Sequence, residues 1–299
     1  MIDRKVFFII NKYSGTGFQS KIEGRIIDSC ARLKLEAILE YTQYRGHAIE
    51  LARQAAAEGI LRVFAMGGDG TVNEAAQGLI GTSTALGILP KGSGNGLARH
   101  LRIPLPLDRA LNLLEQYNIL EMDVLRINDK ISVNVSGIGF DAHVAGQFGK
   151  NGKRGLAGYT RLVLQEFRSF KEFDCDAVLD GKTYHRNAFI IALANSSQFG
   201  NNARIAPLAS VCDGVMDVCF IKKIPVAAMP AFTTRMFLGK TERSRFVEIV
   251  KASRFKIKFN DPQPYHIDGE PHDPIHEFVV EVLPASLKVI VPAATGKAI

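Results

Sequence analysis

Three glycine-rich turns hold the residues of this sequence that are best suited to bind phosphate. They are residues 11–17 (NKYSGTG), 67–71 (GGDGT) and 90–96 (PKGSGNG), and each follows a short apolar run. Glycine lets backbone N–H groups approach an anion closely, and the N-terminus of a following helix adds a partial positive charge. Because the carboxyl ends of parallel strands meet at one edge of a sheet, three such turns predict a polyphosphate site.

The second turn also contains a carboxylate, because Asp69 lies between Gly68 and Gly70. A carboxylate beside phosphates is the type of group that holds Mg²⁺, or a water molecule, in phosphoryl transfer. The sequence has no GxxxxGK[ST] motif, and Leu97 prevents a GxGxxG match in the third turn. Taken singly, the first and third turns are equally compatible with ordinary strand-to-helix connections.

The segments that must position these turns alternate between strand and helix patterns over residues 1–125. This alternation predicts an α/β nucleotide-binding domain with a mostly parallel sheet. Its predicted strands are residues 6–10, 35–41, 62–66 and 85–89, and its predicted helices are residues 20–33, 47–58, 73–79, 97–101 and 107–117.

Residues 126–299 follow a different pattern, with many short strand-like runs separated by Gly and Pro. They predict a β-rich second domain, an antiparallel sandwich, with helical stretches near 156–171 and 225–238. The predicted strands of this part are residues 123–127, 131–135, 175–179, 188–194, 215–221, 255–259, 277–283 and 287–291.

The composition indicates a globular protein in a reducing compartment. The 299 residues carry a net charge of +7, and 46% are hydrophobic, which excludes a disordered or coiled-coil chain and suits an anionic partner. The four cysteines form no CxxC pair, and the histidines lack metal-ligand spacing, which indicates free thiols in a reducing compartment. The apolar run at residues 6–10 is too short for a signal peptide, and no stretch approaches a transmembrane span. We therefore expect a cytoplasmic protein.

In these turns the sequence resembles the diacylglycerol kinase catalytic family, the lipid kinases that include bacterial diacylglycerol kinases and sphingosine kinases. Six elements match in order. Residues 11–17 resemble NPxSGxG, 67–74 resemble GGDGTxNE, 90–99 resemble PxGTxNDxAR and the PxGSGNxLA form, 134–141 resemble NxxGxGFDA, 213–218 resemble DDGxLDV, and 268–270 resemble DGE.

The resemblance implies ATP- and Mg²⁺-dependent phosphorylation of a lipid hydroxyl, in phospholipid metabolism, with the active site in the cleft between the two domains. It assigns the general base to Glu270 and catalytic Mg²⁺ to Asp69. It also implies a structural Mg²⁺ site at Asp213 with the carbonyls of Ser210 and Val215, although an ordinary Asp-Gly turn is an open alternative there. The residues expected to contact ATP are Asn11, Lys12, Tyr13, Ser14, Gly15, Thr42, Gly67, Gly68, Asp69, Gly70, Thr71, Val72, Asn73 and Ser93.

One departure from the family pattern concerns the first turn, where Lys12 replaces a proline and is expected to add charge near the phosphates. The lipid itself stays open among diacylglycerol, a sphingoid base, ceramide and related lipids. A substrate of that kind implies peripheral association with a membrane surface. The amphipathic stretches near 156–171 and 225–240 could lie on anionic lipid, or could equally cover the sandwich. The family also implies a homodimer.

Two alternative functions remain. The chain could be an NAD kinase-like enzyme that acts on a soluble substrate and shares only the GGDG turn. It could also be a non-catalytic nucleotide or lipid sensor, although the presence of both Asp69 and Glu270 disfavours that hypothesis. A nucleic-acid partner is not expected, because the basic residues are dispersed and no aromatic platform motif occurs.

Overall fold

The computed structural model of the chain describes residues 4–15, 21–150 and 156–293, and these form two compact units. Unit 1 contains the chain up to Val124, together with Val211–Asp213 and the chain from Pro284 onward. Unit 2 contains Leu125–Ser210 and Gly214–Leu283. The sequence predicted one boundary near residue 125, whereas the structure returns two later segments to the first unit. Thr16 and Gly17 of the first turn lie outside the described residues.

Unit 1 is built on a parallel sheet with the strand order β2–β1–β3–β4. The end of β14 (Glu270–Pro292) adds to it in parallel, with Val289 opposite Leu86. The elements are β1 (Lys5–Ile10), α1 (Lys21–Arg32), β2 (Glu36–Tyr41), α2 (His47–Ala57), β3 (Arg62–Gly67), α3 (Asp69–Leu79), β4 (Ala85–Pro90), α4 (Gly96–His100), α5 (Leu107–Leu111), a 3₁₀ helix (Asn112–Leu114) and the first part of β5 (Tyr117–Ile127).

The central strands of this sheet are buried along almost their whole length, as is usual where both faces of a parallel sheet are covered. Val6–Ile10 and all six residues of β3 are buried, and the rings of Phe8 and Phe64 stack at 5.5 Å. Gly87 leaves room for Phe64, because a Cβ at residue 87 would stand 2.4 Å from that ring. The sheet is therefore a rigid platform for the loops at the ends of its strands.

Unit 2 is mostly antiparallel, with the strand order β12–β11–β10–β7–β13 and with β8 and β14 also paired to β13. Two hydrophobic clusters form most of its core. The elements are β6 (Lys130–Ser132), β7 (Val135–Gly139), α6 (Phe140–Lys150), α7 (Leu156–Ser169), β8 (Phe173–Leu179), β9 (Lys182–Ala188), β10 (Ile190–Ala194), β11 (Met216–Ile221), α8 (Met229–Phe237), β12 (Val247–Ala252), β13 (Arg254–Ile267) and β14 (Glu270–Pro292). Short 3₁₀ helices are Val226–Ala228 and Thr241–Arg243.

Several elements differ from the sequence prediction. The predicted strand 131–135 is divided between β6 and β7, and the predicted helix 107–117 ends at Leu111 before a 3₁₀ turn. Strand β9, helix α6 and strand β12 were not predicted. The sequence of β9, KTYHRNA, is mostly polar because one of its faces is exposed, so its apolar alternation is weak.

No helix in the described part of the chain combines the length and the apolar character needed to cross a membrane.

Candidate active site

The three glycine-rich turns lie side by side at the carboxyl ends of β1, β3 and β4. Backbone hydrogen bonds continue the sheet pairing into them: the N–H of Asn11 donates to the Met66 carbonyl at 2.9 Å, and the N–H of Lys91 donates to the Gly67 carbonyl at 2.8 Å. The expected edge of a parallel sheet is therefore where all three turns begin.

Glycines allow these turns to pack backbone against backbone. At Gly15, where φ is +68°, an added Cβ would stand 2.1 Å from the Lys91 carbonyl oxygen. At Gly92 a Cβ would stand 2.6 Å from the Cα of Gly68, and at Gly67 it would meet the Thr71 side chain at 2.5 Å. The three turns thus form one loop surface of closely packed backbone, which suits a ligand rich in phosphate oxygens.

Two asparagines hold the turns in shape. The Asn11 amide donates to the Thr71 hydroxyl at 3.0 Å and accepts from the Tyr13 N–H at 2.9 Å. The Asn95 amide accepts from the N–H of Gly92 at 2.9 Å and donates to the carbonyl of Gly92 at 2.8 Å. Asn95 itself has a φ of +49°, which is a conformation that asparagine tolerates. Side chains from the first and second turns are thus bonded to each other.

Asp69 is the first residue of α3, an 11-residue helix whose N-cap is Gly68. Its carboxylate accepts the N–H of Leu97 at 3.4 Å, which connects it to the start of α4. The amides at the N-terminus of α3 and the Asp69 carboxylate thus share one corner of the loop surface. This is the donor set that a phosphate chain and an accompanying hard cation require.

The two lysines of the turns have different partners in the structure. The Lys12 ammonium lies 3.7 Å from the Tyr41 ring centroid and 3.9 Å from the Glu23 carboxylate, so β2 and α1 position it, and its contact with ATP stays a prediction. Lys91, which sequence reasoning left out, donates to the Ser14 carbonyl and joins the first and third turns. Burial lowers the pKa of the Lys91 ammonium. Its position inside a glycine-rich turn was the available signal.

The remaining residues predicted to contact ATP differ in their exposure. Thr42 is buried at the end of β2, where its N–H donates to the Ile10 carbonyl, while Tyr13 and Ser93 are exposed. Val72 is buried, and its N–H is used within α3 by the Gly68 carbonyl at 3.1 Å. Asn73 is buried and accepts a hydrogen bond from Gln77 at 2.6 Å. Both residues are thus tied into α3, and their contact with ATP stays a prediction.

Glu270 lies in unit 2, as the first residue of β14 after a two-residue turn. Asp268 and Gly269 form that turn with φ of +48° and +90°, and Ile267 pairs with Glu270 across it. Positive φ at both central residues is typical of the tight hairpin turn that Asp-Gly favours. The predicted base is therefore held on a defined hairpin rather than on a loose loop.

The turn before Glu270 is anchored by a buried polar network. The Asp268 carboxylate accepts the Ser132 hydroxyl and the N–H groups of Val133 and Asn134, at 2.5, 2.8 and 3.1 Å. The N–H of Gly269 donates to Nδ1 of His266 at 3.1 Å, so Nε2 of His266 carries the proton and faces the Asp141 carboxylate at 3.1 Å. Both Asp141, within the 134–141 motif, and His266 thus support the turn, which sequence reasoning did not foresee.

The predicted structural Mg²⁺ site involves residues 210–215. Among the residues that the structure describes, no three His, Cys, Asp or Glu side chains are grouped as metal ligands. The predicted set has one carboxylate, Asp213, with backbone carbonyls, so such a grouping is not expected of it. Gly214 has a φ of +75°, which is also compatible with the ordinary Asp-Gly turn. Ser210, Asp213 and Val215 therefore stay a prediction.

Comparison with protein families matches both parts of the chain. The family model of the diacylglycerol kinase catalytic domain matches residues 5–127. A second family model, the YegS C-terminal NAD kinase beta sandwich-like domain, matches residues 134–291. The α/β fold followed by a β-rich domain is thus confirmed.

Curated proteins with similar sequences carry lipid kinase names. A probable lipid kinase YegS from Salmonella arizonae is 31% identical over 261 residues, which cover 84% of this chain and 85% of that protein. A probable lipid kinase YegS-like protein from Chromohalobacter salexigens is 30% identical over 258 residues, covering 84% and 82%.

Solved structures share the fold over almost the whole chain. A putative diacylglycerol kinase from Bacillus anthracis has a TM-score of 0.79 at 23% identity, and it covers 98% of this chain and 99% of that one. A second crystal structure, of a diacylglycerol kinase from the same organism, has a TM-score of 0.76 at 22% identity, with 98% of both chains covered.

Proposed function

The chain belongs to the lipid kinase family that joins a diacylglycerol kinase catalytic domain to a YegS C-terminal domain, and from that premise we propose that it transfers the γ-phosphate of ATP to a lipid hydroxyl. The observation that carries the proposal is the packing of three turns through Gly15, Gly68 and Gly92 at one sheet edge. Phosphoryl transfer depends mostly on positioning and electrostatics, and such a surface supplies both.

In this proposal unit 1 binds the nucleotide. The amides at the N-terminus of α3 and in the first and third turns hold the phosphates, and Asp69 holds Mg²⁺. When bound, Mg²⁺ neutralises charge on the transferred phosphoryl group. Asn11 and Thr71 keep two of the turns together, and Lys91 links the first turn to the third. Asp213 with the carbonyls of Ser210 and Val215 holds a second, structural Mg²⁺.

Glu270 is the general base in the same proposal. A base must come within about 2.6–3.2 Å of the hydroxyl whose proton it accepts, directly or through one water. The hairpin turn at Asp268–Gly269 and the network behind it fix the backbone from which the Glu270 side chain extends. Diacylglycerol, a sphingoid base or ceramide supplies the hydroxyl at a membrane surface, so the enzyme associates peripherally. A homodimer stays a prediction.

A second candidate function is phosphorylation of a soluble nucleotide such as NAD. One observation favours keeping it: the model that matches residues 134–291 is described as NAD kinase beta sandwich-like. The two functions differ in whether the acceptor needs a lipid phase, so one experiment separates them.

The test is transfer of labelled γ-phosphate from ATP in mixed micelles. The acceptors are diacylglycerol, sphingosine, ceramide, monoacylglycerol and phosphatidylglycerol, with NAD in detergent-free buffer. Asp69→Asn and Glu270→Gln keep the shape of each side chain and remove its charge. Asp28→Asn and Glu121→Gln are the matched controls, since both residues are exposed. We expect label in one lipid, lowered about 10²–10⁴-fold by Glu270→Gln and unchanged by either control.

Each other outcome is informative. If the Glu270→Gln variant still transfers label to a lipid, the chain is a lipid kinase but Glu270 is not its general base. Label only in NAD supports the second candidate. ATP binding without label in any acceptor contradicts the proposed activity and supports a sensor. Loss of activity in Glu121→Gln equal to that in Glu270→Gln would remove the specific assignment of the base.

A further inference from the structure

Unit 2 contains a cavity of about 350 Å³ that is lined by three arginines and two phenylalanines. Arg235 comes from the last turn of α8, Arg243 from the 3₁₀ helix after it, and Arg245 from the segment before β12. Phe232 and Phe246 form the apolar part of the wall, and the guanidinium of Arg245 lies 5.0 Å from the Phe246 ring centroid. None of these residues belongs to the proposed kinase site.

The charge around this cavity is strongly positive. Residues 226–246 contain four basic side chains and one acidic side chain, Glu242, which contacts Arg243 at 3.5 Å. The next acidic residue, Glu248, accepts hydrogen bonds from Nε and Nη2 of Arg186, at 2.7 and 2.9 Å. Guanidinium groups match phosphate oxygens in a planar fork geometry, so three of them around one cavity favour a phosphate group.

The same segment, residues 226–246, also contains exposed apolar side chains. Val226, Phe237 and Leu238 are 68%, 51% and 60% exposed. Arg235 and Leu238 are three residues apart at the end of α8, a spacing that places neighbours on one helix face. A free phosphate compound gives no reason for exposed apolar side chains beside its site, whereas a phospholipid presents a phosphate directly above its acyl chains.

In α7, the other amphipathic helix, the described side chains from residue 162 onward form no such surface. Leu162, Val163, Phe167 and Phe170 of the α7 region pack into a cluster with Phe140, Val144 and Phe189. In α8, by contrast, Met229 and Phe232 pack on the core while Phe237 at its end is exposed. The sequence left both helices open as membrane surfaces or as covers of the core. Within the described residues, the segment around α8 is the one that combines both features.

We propose that this arginine pocket binds the phosphate of an anionic phospholipid headgroup, with Phe237 and Leu238 entering the boundary of the acyl chains. This docking role rests on the proposed function, because a kinase that phosphorylates a lipid must work at a membrane surface. The pocket is distinct from the proposed kinase site, because none of its lining residues belongs to the glycine-rich turns or to the hairpin of Glu270. It is a docking site that holds unit 2 on an anionic surface.

The test measures binding of the full chain to sedimenting vesicles of phosphatidylcholine with and without phosphatidylglycerol. The variant Arg235→Gln/Arg243→Gln/Arg245→Gln is compared with Arg4→Gln/Arg53→Gln/Arg109→Gln, which removes equal charge from three exposed arginines of unit 1. Each arginine near an anionic surface strengthens binding severalfold, so we expect the pocket variant to lose about 100-fold in vesicle affinity. The control variant should lose far less.

Further variants and a competitor make the test decisive. Replacing the three arginines by lysines keeps the charge and removes the fork, so binding should be only partly restored. Phe237→Ser/Leu238→Ser should weaken binding with the arginines intact. Equal losses in the pocket and control variants would overturn the proposal, because net charge alone would then explain binding. Competition of vesicle binding by soluble glycerol phosphate at low concentration would also overturn it, in favour of a free phosphate ligand.

Failure of this inference is distinguishable from failure of the proposed function. Vesicle binding needs no ATP and no turnover, whereas the kinase assay in mixed micelles needs no anionic bilayer. A pocket variant that keeps its micellar activity and loses vesicle binding supports the docking site. A pocket variant that binds anionic vesicles as the wild type does removes it, whatever the kinase assay gives.

Discussion

At the scale of single residues, the glycines of the loop surface act through the side chain that they lack. Gly15, Gly68 and Gly92 bring three turns into backbone contact, and in each case a Cβ would meet main-chain atoms of another turn. Main-chain atoms of a loop attached to a rigid sheet cannot move aside as a flexible side chain would. These three positions therefore control the spacing of the amides.

Gly92→Ala tests this directly. The new Cβ would stand 2.6 Å from the Cα of Gly68, so the second and third turns must separate. We expect ATP affinity, measured by titration calorimetry, to fall about tenfold or more, with a stability cost of about 1–3 kcal/mol from overpacking. Gly24→Ala on α1 is the control, because nothing lies within 4 Å of its Cβ. Normal ATP binding by Gly92→Ala would refute the spacing argument.

Glu74 shows that a residue in a signature can be structural. It ends the 67–74 motif, and its carboxylate accepts the N–H groups of Gly46 and Ala48 at 2.9 and 3.3 Å. These are backbone donors at the start of α2, where a negative charge is stabilising. The motif thus extends beyond the loop surface and joins α3 to α2.

Glu74→Ala should therefore lower stability and leave ligand binding intact. Loss of a helix cap costs about 1–2 kcal/mol in the free energy of unfolding, which urea denaturation measures. ATP affinity should stay within about twofold, a change of less than 0.5 kcal/mol. Glu58→Ala, at the other end of α2, is an exposed control with one contact to Gln54. A large loss of ATP affinity at unchanged stability would place Glu74 in the binding site instead.

Residue types predicted the loop surface better than they predicted side-chain direction. The positions of Gly67, Gly68 and Asp69 after a buried strand were enough to foresee a turn at the sheet edge. The direction of Lys12 was not foreseeable, because its partners Tyr41 and Glu23 come from β2 and α1. Lys91 was missed for the same reason, since its bond to Ser14 depends on the packing of two turns.

At the scale of elements, two hairpins in unit 2 have the same kind of turn. Asp180 and Gly181 join β8 to β9 with φ of +44° and +83°, and Asp268 and Gly269 join β13 to β14 with φ of +48° and +90°. The Asp-Gly pair at residues 180–181 was the signal that could have revealed β9. Its strand pattern alone was too polar to do so.

This pair of turns provides a matched test of the role of Glu270. An added Cβ has no neighbour within 4 Å at Gly181 or at Gly269, so the only cost of alanine there is the strain of a left-handed backbone conformation. Gly181→Ala and Gly269→Ala should each cost about 1–2 kcal/mol of stability. Only Gly269→Ala should lower kcat, by about tenfold or more, because a small misplacement of a catalytic group is costly. Equal kcat values in the two variants would contradict the positioning role of the turn.

At the scale of the whole molecule, long-range pairing is what the sequence left unpredicted. Strand β14 begins at Glu270 in unit 2 and ends in unit 1, where Val289 pairs with Leu86. The apolar run 287–291 was foreseen as a strand, but nothing local to it selects β4 as its neighbour. A pattern of alternation defines a strand and its buried face, whereas its partner depends on the packing of distant segments.

The four cysteines report on the integrity of both units. Cys30, Cys175 and Cys219 are buried, and Cys212 is partly exposed. Burial raises the pKa of Cys30 to about 11 and that of Cys175 to about 12, and it also raises the pKa of Cys219. The thiolate is the reactive form of cysteine. At neutral pH these three buried residues are almost entirely protonated, and they are also inaccessible to a reagent.

Titration of the native protein with a thiol reagent at neutral pH should therefore modify one cysteine rapidly, and peptide mapping should identify it as Cys212. In denaturant all four should react, because unfolding removes the burial that raises the pKa of the other three. Cys212→Ser supplies the control, and its native form should have no rapid phase.

Since Cys212 precedes Asp213, Mg²⁺ bound there should slow the modification, and Asp213→Asn should abolish that protection. Rapid reaction of Cys30 or Cys175 in the native state would contradict the packing of the unit that contains it, and a rate for Cys212 that is independent of Mg²⁺ would argue for the ordinary Asp-Gly turn.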